Sequence, residues 1–240
     1  MPFRGGRTFD DFQLHLPTMS HATSSFLAAL SLAAASLLLA APARAQDAAE
    51  GAKKAAMCIG CHGIAGYQAS FPEIHKVPMI SGQSGAYIVA ALTAYKKGER
   101  KHPTMRGISA SLSDKDMADL AAFYEKNLRS PIKTVADTPA VQPSAEVSAL
   151  LTKGACASCH GANFSKPISP VYPKLAGQHA DYLLVALRSY GTEGNPQVGR
   201  ANPIMNAQVK PFTRAELKAL ANYLASLPGE LQTVPQSKFR

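Results

Sequence analysis

Cys58-Ile59-Gly60-Cys61-His62 and Cys156-Ala157-Ser158-Cys159-His160 are two copies of one pattern, C-x-x-C-H. This is the attachment signature of a c-type haem. Two thiols three positions apart can each form a thioether with the same porphyrin. The adjacent histidine then lies under the iron as a proximal imidazole ligand. These four cysteines are the only ones in the chain. A structural zinc site or a thioredoxin-like redox pair also uses C-x-x-C. A histidine directly after the second cysteine in both copies, with no cysteine to spare, argues against both. The expected cofactors are two covalently bound haem c groups, held by Cys58 and Cys61 and by Cys156 and Cys159. His62 and His160 are the expected proximal iron ligands.

The N-terminal 45 residues read as a targeting segment. Phe26 to Ala41 is an unbroken run of Ala, Leu, Ser and Phe, 16 residues long, followed by the A-x-A pattern Ala43-Arg44-Ala45. The run falls short of the roughly 20 residues that span a bilayer comfortably. No Lys or Arg lies between Met19 and Phe26, so Met19 is a candidate for the true start. Cleavage after Ala45 leaves 195 of the 240 residues, room for two small domains. Export follows, with retention as a membrane anchor the competing reading. Losing three basic and two acidic residues lowers the formal charge from +9 to +8. That balance favours an acidic protein partner or an anionic surface. No nucleic-acid-binding motif accompanies it, so nucleic acid is not an expected partner.

The chain repeats itself. Pro78-Met79-Ile80-Ser81-Gly82-Gln83 returns as Pro173-Lys174-Leu175-Ala176-Gly177-Gln178, and Tyr87, Leu92 and Tyr95 return as Tyr182, Leu187 and Tyr190. Met105 returns as Met205. Ser113 and Thr213 each precede a helical pattern, with an acid three positions on, the arrangement of a capping box. Each half predicts a helix, the cysteine motif, a loop, a second helix, a methionine loop and a third helix. The predicted helices are Ala48 to Met57, Ala86 to Lys97 and Asp114 to Asn127, then Ala145 to Ala155, Ala180 to Tyr190 and Arg214 to Ser226. Gly98 and Gly191 are the expected stops of the second helices. Met117, Leu120, Ala121 and Tyr124 recur at helical spacing and give the third helix an inward face. No convincing strand is present. The domains are 46–128 and 144–240, joined by a linker, 129–143, that contains Pro131, Pro139 and Pro143.

An electron carrier fills the second axial position of each iron with a side chain. Met105 and Met205 are the best candidates, each close to a proline and ahead of a capped helix. Thioether sulfur favours ferrous iron and raises the potential. His75, His102 and His179 could instead give a bis-histidine site, but none has a histidine counterpart in the other half. All three read as solvated loop histidines.

These features, in order and twice, resemble tandem class I cytochrome c, and specifically the diheme cytochrome c4 family. The resemblance covers about 50–128 and 146–227. It implies an all-α fold of two class I cytochrome c domains, with an approximate two-fold between them. It also implies haem propionates near the domain interface. A further implication is that the carbonyls of Pro78 and Pro173 accept the ring N–H of His62 and His160. The second half keeps the aromatic-Pro-Lys-Leu sequence usual in the family, as Tyr172-Pro173-Lys174-Leu175, whereas the first has Val77-Pro78-Met79-Ile80. The loop from Cys61 to Pro78 also spans 17 positions, against 14 from Cys159 to Pro173.

The expected function is that of a periplasmic diheme electron carrier rather than an enzyme. It would run between a membrane quinol-oxidising complex or a dehydrogenase and a terminal oxidase or reductase. The alternative is a dedicated cytochrome subunit of a periplasmic dehydrogenase. Lys96, Lys97, Arg100, Lys101 and Arg106 crowd the approach to Met105. They make a candidate docking patch for redox proteins with acidic surfaces.

Overall fold

The computed structural model describes residues 46–130 and 135–235. The targeting segment expected over 1–45 lies outside the described residues, as does part of the linker. Helix α1 (Ala48–Lys54) starts on the Asp47 carboxylate, which accepts the backbone N–H groups of Ala49 and Glu50 at 2.8 and 3.2 Å. Helix α2 (Ala56–His62) follows almost without a break, so helical backbone carries both cysteines and the histidine. Strands β1 (Gln68–Ala69) and β2 (His75–Lys76) pair in the loop beyond. Helix α3 (Gly85–Lys97) stops at Gly98, whose φ of 76° suits a residue without Cβ. Strand β3 (Arg100–Lys101), helix α4 (Pro103–Ala110) and helix α5 (Asp114–Lys126) complete the first half.

The second half repeats the order. It comprises α6 (Ala145–Lys153), α7 (Ala157–His160), α8 (Ala180–Tyr190), β4 (Gly199–Arg200), α9 (Pro203–Val209) and α10 (Arg214–Ser226). Both third helices carry complete capping boxes, Ser113 with Asp116 and Thr213 with Glu216. Two expectations need correction. The methionines sit in helices, not loops. Proline at the first helical position is preset for helix, and His102 and Asn202 cap those turns by accepting the N–H of Met105 and Met205 at 3.4 and 2.9 Å. Four two-residue strands also exist, too short for any sequence pattern to announce.

Each half has its own core. Met117, Leu120 and Tyr124 of α5 pack with Ile59 and Ile88 in the first. Phe164, Leu183, Ala221 and Leu224 do so in the second. Burying a side chain of this size contributes about 2 kcal/mol. The halves then join by a reciprocal exchange. Gln83 donates from Nε2 to the Lys174 carbonyl at 3.0 Å and accepts the Lys174 N–H at 2.9 Å. Gln178 does the same with Met79, at 2.9 and 3.0 Å. The glutamine of each repeated Gly-Gln therefore recognises the backbone beside the other half's proline. The preceding glycines, Gly82 and Gly177, have φ of 81° and 76°, a backbone that favours glycine. Strands β3 and β4 pair antiparallel across the same junction, Arg100 opposite Arg200.

Candidate haem sites

The attachment motif is built differently in the two halves. In the first, α2 places Cys58 and Cys61 one turn apart, and His62 closes the same helix. In the second, Gly154 caps the end of α6, and Ala155 takes a φ of 44° before Cys156, which immediately precedes the short α7. All four thiols are unpaired and partly exposed. Burial pushes the Cys58 and Cys156 thiols up, which keeps them protonated until they react. Among the described residues no cluster of three or more His, Cys, Asp or Glu could hold a metal ion. The zinc alternative therefore finds no donor set.

The two histidines share one arrangement. His62 Nδ1–H donates to the Pro78 carbonyl at 2.8 Å, and His160 Nδ1–H donates to the Pro173 carbonyl at 3.2 Å. A carbonyl only accepts, so the proton is on Nδ1 and Nε2 keeps its lone pair. Burial lowers both imidazole pKa values, with the carbonyls opposing it. Each ring is thus a neutral imidazole with Nε2 ready for a metal. Met105 and Met205 are half-buried at matching positions in the first turns of α4 and α9. Paired thiols, a free Nε2 and a soft thioether in each half fit covalently bound haem.

Two of the other three candidate histidines, His75 and His102, are not solvated loop residues. His75 is 4% exposed, donates from Nδ1 to the Glu73 carbonyl and stacks at 6.3 Å on Tyr182. His102 caps α4 and meets Phe71 edge-on at 5.7 Å. His179 is partly buried and precedes α8. The expected basic patch is also not one surface. Arg100 is buried, Lys101 Nζ reaches the Asn195 carbonyl across the junction, and Lys96 Nζ reaches the Leu112 carbonyl. Of the five, Lys97 and Arg106 remain exposed without a hydrogen-bond partner among the described residues.

Two helical halves, each with one attachment motif and one proline-bound histidine, define a tandem c-type cytochrome. The family model for cytochrome c matches residues 48–126 and again 144–228. Cytochrome c4 of Azotobacter vinelandii is 31% identical over 196 residues, covering 76% of this chain and 90% of that protein. A thiosulfate dehydrogenase electron acceptor of Stutzerimonas stutzeri is 30% identical over 214 residues, covering 83% and 94%. The structure of Acidithiobacillus ferrooxidans cytochrome c4 superposes with a TM-score of 0.53 at 27% identity, covering 72% of this chain and 99% of that one. The chain belongs to the diheme cytochrome c4 family. It consists of two tandem cytochrome c domains, and its function is to carry electrons. Its cofactors are two covalently bound haem c groups, and the pairs Cys58/Cys61 and Cys156/Cys159 fit the two attachments.

Sequence reasoning missed two sets of residues. Gln83 and Gln178 were legible as a repeat but not as the joint between halves. Arg100 and Arg200 were not legible as one cluster, because it is closed by a bond from Arg100 to Tyr182 of the opposite half, which Arg200 also binds.

Proposed function

We propose that the chain is an exported, freely diffusing carrier. It takes electrons from a quinol-oxidising complex or a periplasmic dehydrogenase and passes them to a terminal oxidase or reductase. His62 with Met105 would hold one iron and His160 with Met205 the other, leaving both closed. The observation that carries this reading is the matched pair of donors in each half: an imidazole with Nε2 free and a thioether at the same helical position. A closed ligand set suits outer-sphere transfer and leaves no position for a substrate. When bound, each haem supplies an iron that gains or loses one electron. The protein holds what surrounds it. The Pro78 and Pro173 carbonyls fix the tautomer and raise the basicity of the histidines. The capped first turns of α4 and α9 hold the methionine backbone in place. Among the described residues no helix is long and apolar enough to cross a membrane.

The relative named as a thiosulfate dehydrogenase electron acceptor favours a dehydrogenase as donor, and brings in the second reading, a permanent subunit of such an enzyme. Native purification from membrane and soluble fractions separates the two. A free diheme protein, reduced by a separately purified dehydrogenase in stopped-flow mixing, supports the carrier. A fixed-stoichiometry complex that survives high salt overturns it.

A further inference from the structure

Each histidine bond is the end of a longer chain that begins in the other half. The Pro78 carbonyl, which accepts His62 Nδ1–H at 2.8 Å, shares one peptide group with the Met79 N–H. That N–H donates to Gln178 Oε1 of the second half at 3.0 Å. The mirror arrangement holds for the other histidine. The Pro173 carbonyl accepts His160 Nδ1–H at 3.2 Å, and the Lys174 N–H of the same peptide donates to Gln83 Oε1 at 2.9 Å. In each case two hydrogen bonds join an amide oxygen of one half, through one peptide group, to the imidazole of the other.

Both glutamines are held firmly in this place. Each is 4% exposed, so water does not compete for the amide. Each Nε2 donates to the carbonyl of the residue whose N–H its Oε1 accepts, Met79 at 2.9 Å and Lys174 at 3.0 Å. A flipped amide would set donor against donor and acceptor against acceptor, so this pair of bonds fixes which end is oxygen. Each Oε1 also accepts the N–H of the next residue, His179 or Ser84, at 3.0 Å. The peptide between glutamine and histidine is resonance-coupled. An acceptor on its N–H shifts electron density to its carbonyl oxygen, and bonds chained in this way strengthen one another by roughly 10–30% each. A stronger carbonyl acceptor draws harder on the Nδ1 proton and leaves Nε2 more basic. A more basic axial ligand favours ferric iron, so the chain holds the potential down.

We propose that Gln178 tunes the potential of the first haem and Gln83 that of the second, each acting across the junction through the peptide that follows the other half's proline. Both are positioning residues, acting on the iron only through that peptide and the histidine. The first chain is tighter at its histidine end, 2.8 against 3.2 Å, so Gln178 has the larger effect. The crossed wiring makes each potential depend on the docking of the two halves. The inference rests on His62 and His160 as the axial ligands proposed above, and on neither methionine.

The test is a potentiometric titration of the intact diheme protein, with each centre followed by its own paramagnetically shifted haem methyl signals. Gln178→Leu removes both amide bonds with little change in volume. It is expected to raise the first haem's midpoint potential and leave the second's where it is, with haem content at two per chain. Gln83→Leu is expected to raise the second's, by less. Gln178→Glu gives the Met79 N–H an acceptor again and is expected to return the first potential to its unsubstituted value or below. Gln178→Asn, one methylene shorter, serves if the leucine variant does not fold, with the same rise expected. Shifts confined to the haem of the substituted half would overturn the proposal. So would a lower melting temperature with both potentials unmoved, or a glutamate variant whose rise matches the leucine one. The ligand reading is checked separately on the unsubstituted ferrous protein, where the ring protons of an iron-bound imidazole are shifted upfield by the porphyrin ring current. Unshifted rings would sink that reading and the tuning with it, whereas shifted rings with unmoved potentials sink the tuning alone.

Discussion

The loop between the histidine and its proline differs most between the halves. In the first half, residues 63–77 form the β1–β2 pair and reach away from their own core. Glu73 binds Arg188 at 2.6 Å and Arg214 at 3.2 Å, and Lys76 N–H donates to Asp181 at 3.0 Å. His75 lies on Tyr182. In the second half the matching loop turns inward. Phe164 is 2% exposed, and its carbonyl accepts the N–H groups of Leu175 and Ala176 at 2.7 and 3.0 Å. The loop closes mainly on its own core, and only the Pro170 carbonyl, which accepts the Ser84 hydroxyl, ties it to the first half by a hydrogen bond among the described residues. The three extra positions of the first loop therefore hold the other half. Repetition survives where a residue faces the cofactor (the histidine, its proline and the methionine). It survives as well in Gln83 and Gln178, which join the halves, and fails in the loop between histidine and proline, where the two sides of the junction do different work.

The largest way to break this comparison is to remove one attachment. Cys58→Ala with Cys61→Ala should leave one covalent haem per chain, and so should Cys156→Ala with Cys159→Ala, by pyridine haemochrome stoichiometry. Domains of under 100 residues bury limited apolar surface of their own. The half without haem should therefore become sensitive to protease while the other persists. The self-packed second half should tolerate its loss better than the first. Equal protease resistance in both variants would show that the inward loop adds nothing.

Next in size is axial ligation. Met105→His and Met205→His should each lower the potential of one haem, since axial ligand choice moves haem potentials over roughly 0.8 V. Each should also remove that haem's share of the weak far-red sulfur-to-iron band of the ferric protein. If Met205→Ala leaves spectrum and potential unchanged, the ligand assignment of the second half fails.

A third prediction uses a buried charge that only the first half has. Asp119 is 0% exposed and binds Lys115 and Lys54 at 2.8 and 2.7 Å, and it also accepts the Asp47 N–H. The position 100 residues on is Ala219. Asp119→Ala should destabilise the first half by about 3 kcal/mol, the usual result of stripping one partner from a buried pair. Lys115 and Lys54 hold the Asp119 carboxyl well below its ordinary 3.8, and Lys54 and Ser113 do the same for Asp116. A depressed carboxylate stabilises the fold above its unfolded value. That stability is present above about pH 4 and is lost as pH falls below it. Acid titration followed by circular dichroism should therefore show the first half unfolding before the second. Asp119→Ala should flatten the first half's acid limb and leave the second's unmoved.

Much of this was legible beforehand because it is local. Helix α10 runs over Arg214–Ser226 as its cap and periodicity predict, and α3 stops at Gly98. The attachment motifs need only spacing. What was not legible depends on partners far away in sequence. The burial of His75 comes from an α8 residue, Tyr182. The role of Gln83 lies on Lys174, 91 positions away. The methionine helices are an intermediate case. Pro103 and Pro203 at the first helical position, behind His102 and Asn202, are recognisable start signals, but helices of eight and seven residues carry too little periodicity to confirm them.

The smallest predicted effect concerns docking, where the sequence reading and the fold part company. Five clustered cations suggest one steering surface, yet the fold turns Arg100 inward and ties Lys96 and Lys101 to carbonyls. Exposed charges such as Lys97 and Arg106 are what a diffusing acidic partner would meet on the first half. Lys97→Glu and Arg106→Glu should each slow the second-order rate by roughly 1.4- to fivefold at low salt, the scale of a ~0.2–1 kcal/mol exposed charge contact. The effect should fade as the Debye length shortens to about 8 Å at physiological ionic strength. Neither potential should move, because steering charges act on encounter and not on the iron. Lys210→Glu is the matching probe in the second half, where Lys210 is exposed at the end of α9. Arg214 is a poorer probe, since its charge is already engaged by Glu73 from the first-half loop. A larger slowing from Lys210→Glu than from the first-half pair would move the docking face to the second domain. The extended loop would then brace the half that meets the partner.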